Sequence, residues 1–171
     1  VQLGVKRGID VSVSGTALIA LSPATLVISE LIRKKMGEPV IFEQVRPGLH
    51  GKPFVVRKFR TMIVDTVDES GRLLGDSERT PPLGYLLRKT SLDEIPQLIS
   101  VLRGDMSLVG PRPLLMRYLD KYTPEQARRH EMRPGITGWA QVNGRQHIPF
   151  SERFRLDVWY IDSSSLWLDM K

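Results

Sequence analysis

The chain has 171 residues, one domain's worth, and at that length folding hides roughly two thirds of the surface of the unfolded chain, enough to support a catalytic cleft. It contains no cysteine, which excludes structural disulfides, thiolate metal sites and cysteine nucleophiles together. A formal net charge of +6 points to anionic partners, whether nucleic acid, phospholipid headgroups or phosphorylated small molecules.

In chain order, the first element is a run of nineteen uncharged residues, Val11 to Ser29, with Lys6 and Arg7 before it and Arg33, Lys34 and Lys35 after it. A straight helix needs about 20 apolar residues to cross a bilayer, so the run sits at the margin. Pro23 lies near its middle without an N–H for the helical ladder, and a kink at Ser22 and Pro23 is expected. A secretory signal is disfavoured because a charged cluster, not a small-residue cleavage site, follows the apolar core. A spanning helix would put basic clusters on both sides of the membrane, whereas the positive-inside tendency places both ends on the cytoplasmic face. The expectation is therefore a re-entrant anchor over residues 1–36, with Ser22 able to satisfy backbone freed by the break, and a domain over residues 37–171. A spanning helix and the buried core helix of a soluble protein are the competing readings.

Beyond Gly37, residues 40–46 and 53–60 are β-branched and aromatic runs around Pro47, Gly48 and Gly51, which predicts a β-hairpin with a longer loop. Residues 65–80 are polar and turn-rich. Leu83, Leu86 and Leu87 mark a short helix, and Ile95, Leu98, Ile99 and Leu102 have the spacing of a second one ending before Gly104. Helical patterns follow over 114–121, 125–132 and 150–161, separated by GPRP at 110–113 and by a glycine-spaced loop at 133–145 that could offer N–H groups to an anion. The expected class is helix-rich α+β with one small sheet. No βαβ rhythm, GxGxxG or Walker loop is present, against a doubly wound nucleotide fold. His50, His130 and His147 stand apart without metal-ligand spacing and read as surface or loop residues rather than zinc ligands.

The densest chemistry is RKTSLDEIPQL at 88–98. Pro96 fits only the first turn of a helix, so that helix is expected to begin near Asp93, with Asp93 and Glu94 at its positive end. The residues alone leave two readings open: Asp93 as a simple cap, or Ser91 with Glu94 as a capping box; and a reactive carboxylate pair. Nearby stand Arg88, the segment with Arg57, Lys58 and Arg60, and Arg112 held between two prolines. Such cations beside two carboxylates suit a diphosphate and a divalent ion.

These motifs resemble one family, the monotopic phosphoglycosyl transferases, bacterial sugar transferases that begin glycan assembly on polyprenyl phosphate. The resemblance runs from the Ser22-Pro23 pair through FEQVRPG, KFRTM, SLDEIPQL, LRGDMSLVGPRPLL and RPGITGWAQVNGR, and the length is similar to that of the small, minimal members. The family's members usually continue with further helix beyond the position of Lys171. It implies Asp93 as nucleophile, Glu94 as its partner and magnesium ligand, and Arg88, Lys58, Arg112 and Arg145 as basic substrate-binding positions, Arg88 foremost as a phosphate contact. The implied reaction moves sugar 1-phosphate from a UDP-sugar to polyprenyl phosphate, undecaprenyl phosphate in bacteria, releasing UMP through a phosphosugar-aspartyl intermediate and requiring Mg2+. The implied place is the cytoplasmic face of the bacterial inner membrane, with anionic phospholipid as neighbour, in exopolysaccharide or lipopolysaccharide assembly. A basic nucleic-acid-binding module and a non-catalytic membrane scaffold compete; the first lacks any recognised motif or stacking pattern and leaves the apolar helix and the acidic pair without purpose.

Overall fold

The computed structural model describes residues 2–64, 67, 71–144 and 148–171. Its elements are α1 (Gln2–Met36), β1 (Ile41–Pro47), β2 (Pro53–Phe59), α2 (Pro82–Thr90), α3 (Gln97–Arg103), β3 (Ser107–Val109), α4 (Pro124–Ala127), β4 (Gly135–Thr137), α5 (Trp139–Val142), α6 (Phe150–Ser163) and α7 (Leu166–Met170), with short 3-10 turns between them. This is a helix-rich α+β chain, and β1 and β2 form the expected hairpin. Two compact units divide it: the chain up to Thr16 with Gln44–Val56 and Gln97–Lys171, and Ala17–Glu43 with Arg57–Pro96. α1 contributes to both. In the first unit the core holds Val101, Met106, Val158 and Tyr160; in the second it holds Ile28, Ile32, Phe59, Leu87 and Ile95.

α1 stays helical through Pro23, so the expected break is not a gap in the helix. It is a local repair. Proline at 23 offers no N–H to the carbonyl four residues back, that of Ile19, and Ser22 Oγ donates to the same oxygen at 2.8 Å. Thr25 Oγ1 likewise donates to the Leu21 carbonyl at 3.0 Å, and Ser29 Oγ to that of Thr25 at 2.8 Å. These hydroxyls interrupt the apolar run in sequence but close on their own backbone.

Much of the apolar surface of α1 is exposed. Ile19 and Leu26 are 78% and 71% exposed, whereas Asp10 and Ser14 are buried. The helix is long and apolar enough to cross a membrane, and only 11% of its most apolar stretch is buried in protein. A soluble core helix would be mostly covered, so that reading fails and an apolar surrounding suits this surface.

Lys6 and Arg7, expected as a basic flank, have protein partners. Arg7 donates to the carbonyls of Val101 at 2.5 Å and Leu102 at 2.8 Å in the last turn of α3, where Val101 O also accepts from Gly104 N at 3.0 Å. Lys6 pairs with Asp169 at 2.5 Å, and Asp10 accepts from Ser107 Oγ at 2.8 Å and Leu108 N at 3.0 Å. In the other unit, Arg60 Nη2 donates to the carbonyls of Met36, at 2.6 Å, and Gly37, closing the far end of α1.

A second sheet was not legible in the sequence: β3 and β4 pair in parallel, with Ser107 opposite Gly135 and Val109 opposite Thr137. Strands of three residues are too short for an alternation signal. Glycine permits the pairing, because a Cβ on Gly135 would stand 2.1 Å from Gly110 N and one on Gly138 would stand 2.1 Å from Gly110 O. The N–H groups of Gly110 and Gly135 donate to Thr137 and Pro111 carbonyls, so these two glycines serve backbone packing. The patterns at 114–121 and 125–132 become 3-10 turns around α4, and α7 is an additional helix. α6 is held to the turn at 128–130 by a buried ion pair, Arg129 to Asp157 at 2.7 Å.

The repair at Ile19 is testable. Ser22→Ala leaves that carbonyl without a partner and should cost about 1–3 kcal/mol, read as a lower thermal midpoint in detergent micelles. Adding Pro23→Ala supplies a main-chain N–H at position 23 and should recover most of the loss. A double variant as unstable as Ser22→Ala would refute this account.

Candidate active site

The site starts with the ends of α2. Pro82 opens the helix, where its fixed φ costs nothing, and Ser91 closes it in the left-handed conformation at φ 58°, ψ 16°. That reversal starts a 3-10 turn, Leu92–Glu94, which carries both carboxylates. They are thus not in the first turn of an α-helix as expected, since α3 begins at Gln97, after Pro96. Ser91 makes no side-chain cap bond, and Asp93 lies inside the turn and is only 8% exposed. Both capping readings therefore fail.

Lys58, near the end of β2, reaches the pair unequally. Its Nζ is hydrogen-bonded to Glu94 Oε1 and stands 3.9 Å from Asp93 Oδ2. Asp93 accepts no side-chain hydrogen bond among the described residues. Burial pushes the Asp93 carboxyl above the ordinary aspartate range; Lys58 pulls it back, Glu94 adds to the rise and Arg88 opposes it, with the net effect upward. The two neighbours differ accordingly: Glu94 is hydrogen-bonded to the ammonium, and Asp93 is buried beside it in a looser ion pair with the same group.

Arg88 is aimed by two residues that the sequence reading did not single out. Its Nε donates to Thr61 Oγ1 at 2.8 Å, leaving its two terminal nitrogens without a hydrogen bond among the described residues. The contact requires α2 to lie against residue 61, and a Cβ on Gly84 would stand 1.9 Å from the Thr61 carbonyl oxygen. Gly84 and Arg88 are four apart and share a helix face, so the glycine sets the approach that the arginine uses. An isolated glycine inside a helical pattern was the available signal.

The other candidates sort differently. Arg57 pairs with Glu43 at 2.7 Å, and Arg60 caps α1, so of that segment Lys58 alone turns to the carboxylates. Arg112 belongs to the other unit, where its carbonyl accepts from Arg129 Nη2 at 2.8 Å and its charge, after burial, helps lower the pKa of Arg46. Arg145 and His147 lie outside the described residues. His130 packs 5.6 Å from the Tyr122 ring, and burial with the nearby Arg129 lowers its pKa to about 4. Among the described residues no three His, Asp or Glu side chains gather as a metal cage. The donor set at Asp93 and Glu94 fits magnesium, which binds through one or two carboxylates and takes the remaining ligands from substrate phosphates and water.

Comparison with known proteins places these residues in context. A family model described as bacterial sugar transferase matches residues 1–171. The chain is 55% identical over 97% of its length to an uncharacterized sugar transferase, EpsL, of Bacillus subtilis, covering 82% of that protein. It is 41% identical to a UDP-glucose:undecaprenyl-phosphate glucose-1-phosphate transferase of Klebsiella pneumoniae and 37% identical to a UDP-N-acetylgalactosamine-undecaprenyl-phosphate N-acetylgalactosaminephosphotransferase of Aeromonas hydrophila, in each case over 97% of this chain. It spans only 38% and 41% of those two proteins.

The raised Asp93 carboxyl has a consequence for stability. The folded state binds this proton more tightly than the unfolded chain, so the contribution is full below the ordinary aspartate value of about 3.9 and is lost as pH rises through the raised value. Near neutral pH the ionised group therefore works against folding. Asp93→Asn should raise the thermal midpoint at about pH 7 and give little gain near pH 4, measured by thermal denaturation of both proteins. A lower midpoint for the variant at neutral pH would contradict this electrostatic picture.

Proposed function

The chain belongs to the bacterial sugar transferase family, and from that premise we propose that it transfers sugar 1-phosphate from a UDP-sugar to polyprenyl phosphate, with undecaprenyl phosphate as acceptor, releasing UMP. The names of several relatives give undecaprenyl phosphate as acceptor, and those names include UDP-glucose and UDP-N-acetylgalactosamine as donors. The observation that carries the reading is the unequal carboxylate pair: Glu94 hydrogen-bonded by Lys58, and Asp93 buried next to it with the same ammonium at 3.9 Å.

In this reading an Asp93 carboxylate oxygen attacks the β-phosphorus of the UDP-sugar. A new P–O bond forms to Asp93, the bond from that phosphorus to the bridging oxygen breaks, and UMP leaves with the electron pair. A phosphate oxygen of the acceptor then attacks the same phosphorus, the bond to Asp93 breaks, and the carboxylate returns. No net proton is needed in either half. The terminal nitrogens of Arg88, fixed in direction by Thr61, suit the oxygens of the transferring phosphoryl group. Lys58 holds Glu94 in place. Glu94, with Asp93 beside it, would hold magnesium, which when bound neutralises diphosphate charge.

Desolvation supports the choice of nucleophile. A carboxylate partly stripped of water is a stronger nucleophile than a fully hydrated one. The same burial sets an acid limb, because Asp93 must be ionised to attack. Lys58→Met removes the charge that pulls the Asp93 carboxyl down, so any residual activity should show its acid limb at higher pH than wild type. An unchanged limb would separate Lys58 from Asp93.

The anchor belongs to the same proposal. Residues 1–36 would enter and leave one leaflet with the catalytic part, residues 37–171, on the cytoplasmic face of a bacterial membrane. Support comes from the two ends of α1, each hydrogen-bonded to later parts of the chain: Arg7 to carbonyls of α3, and the Met36 carbonyl to Arg60. Both ends are thus tied to polypeptide outside the apolar run.

The deciding experiment uses the first half-reaction alone. Protein incubated with a UDP-sugar and magnesium, without polyprenyl phosphate, should gain the mass of one sugar phosphate and release an equal amount of UMP. Asp93→Asn should abolish the adduct while remaining folded, and Glu94→Gln should slow it by about a hundredfold or more. A folded Asp93→Asn protein with normal turnover would overturn the covalent mechanism.

A further inference from the structure

A cavity of about 230 Å³ lies in the unit formed by the start of α1, residues 44–56 and the C-terminal half, away from the carboxylate pair in sequence and in unit. Three cationic side chains line it: Lys6, Arg7 and Arg133. Lys6 is neutralised by Asp169 at 2.5 Å. The guanidinium groups are not. Arg7 donates only to the carbonyls of Val101 and Leu102, and Arg133 Nε donates to the Gly104 carbonyl at 2.7 Å; neither has a carboxylate partner among the described residues.

Two carboxylates also line the cavity, and both are occupied. Asp10 takes Ser107 Oγ and Leu108 N, and Glu131 takes Arg128 Nε at 3.3 Å. At the rim, exposed His50 holds the left-handed conformation at φ 54°, ψ 31°, one that few residues other than glycine adopt. Two planar guanidinium groups without anionic partners, in a concavity of this size, suit a phosphate group.

The position selects what carries that phosphate. Lys6, Arg7 and Asp10 immediately precede the apolar run of α1, and Val5, Ile9 and Val13 around them are exposed at 40–50% of their surface. We infer that this cavity binds the phosphodiester headgroup of an anionic phospholipid, with the acyl chains lying outside it along the apolar face of α1. The volume admits a headgroup and not the chains. The inference rests on α1 lying in a membrane and not on the transfer chemistry.

The test titrates full-length protein in detergent micelles with phosphatidylglycerol, phosphatidylcholine or inorganic phosphate and reads the thermal midpoint. Phosphatidylglycerol should raise the midpoint more than an equal amount of phosphatidylcholine, by linkage to the folded state. Arg133→Gln should need about tenfold more phosphatidylglycerol for the same rise. His50→Asn, at an exposed rim position whose left-handed backbone asparagine tolerates, should shift the titration in the same direction with an unchanged lipid-free midpoint, and it decides the matter if Arg133→Gln does not fold. Equal responses to the two lipids, wild-type titration of the variants, or an equal rise with inorganic phosphate would overturn the inference. Turnover is not read, so failure of the transferase mechanism would leave this result intact. A chain that stays in solution without detergent would instead remove the membrane premise.

Discussion

The constraint on which much of the structure depends is a long helix that leaves many of its apolar side chains exposed. α1 exposes Ile19, Leu26 and Val27 and buries Asp10, so polar groups along it gain from partners in the chain rather than from water. Several find them, at three levels. Hydroxyls of Ser22, Thr25 and Ser29 close on the helix's own carbonyls; Asp10 accepts from Ser107 and Leu108; and Arg60 closes the last carbonyls while Arg7 serves those of α3. The same bonds that satisfy α1 fix where later elements begin and end. Charged residues that sequence assigns to the membrane surface thereby become structural parts.

The carboxylate pair shows how little displacement separates two chemical roles. Asp93 and Glu94 are adjacent and nearly equal in intrinsic acidity. A single ammonium, hydrogen-bonded to one and 3.9 Å from the other, makes one a tethered anion and leaves the other raised in pKa by burial. That difference comes from backbone geometry: the left-handed Ser91 starts the turn, and Gly84 lets α2 close on Thr61 so that Arg88 is aimed. An ionised Asp93 in this setting opposes folding, which is the expected relation between a reactive group and the scaffold that holds it.

Several elements were legible in the amino-acid order because their causes are local. The apolar run, the hairpin at 40–60, the helix at 150–161 and the clustering of Arg88, Asp93 and Glu94 are each set by residues within a few turns of one another. Within the basic segment at 57–60, which the sequence reading grouped with the acids, Lys58 is the residue that reaches them. The small size of α7 and of the β3–β4 pair left too few residues for a pattern.

What the sequence alone determined is therefore the inventory: a membrane-suited helix, an α+β body without nucleotide-fold rhythm, and a carboxylate pair with basic neighbours. The tertiary structure decided how that inventory is assigned. Arg57, Lys58 and Arg60 are nearly equivalent in sequence, yet one pairs with Glu43, one with Glu94 and one with the end of α1, because partners for a long flexible cation are fixed by what the fold brings within about 3 Å and not by position along the chain. Gly110, Gly135 and Gly138 read as loop punctuation until β3 and β4 meet, and only their contact distances reveal that a side chain there has no room. Non-local contact is a property of the folded chain, and local order cannot encode it legibly.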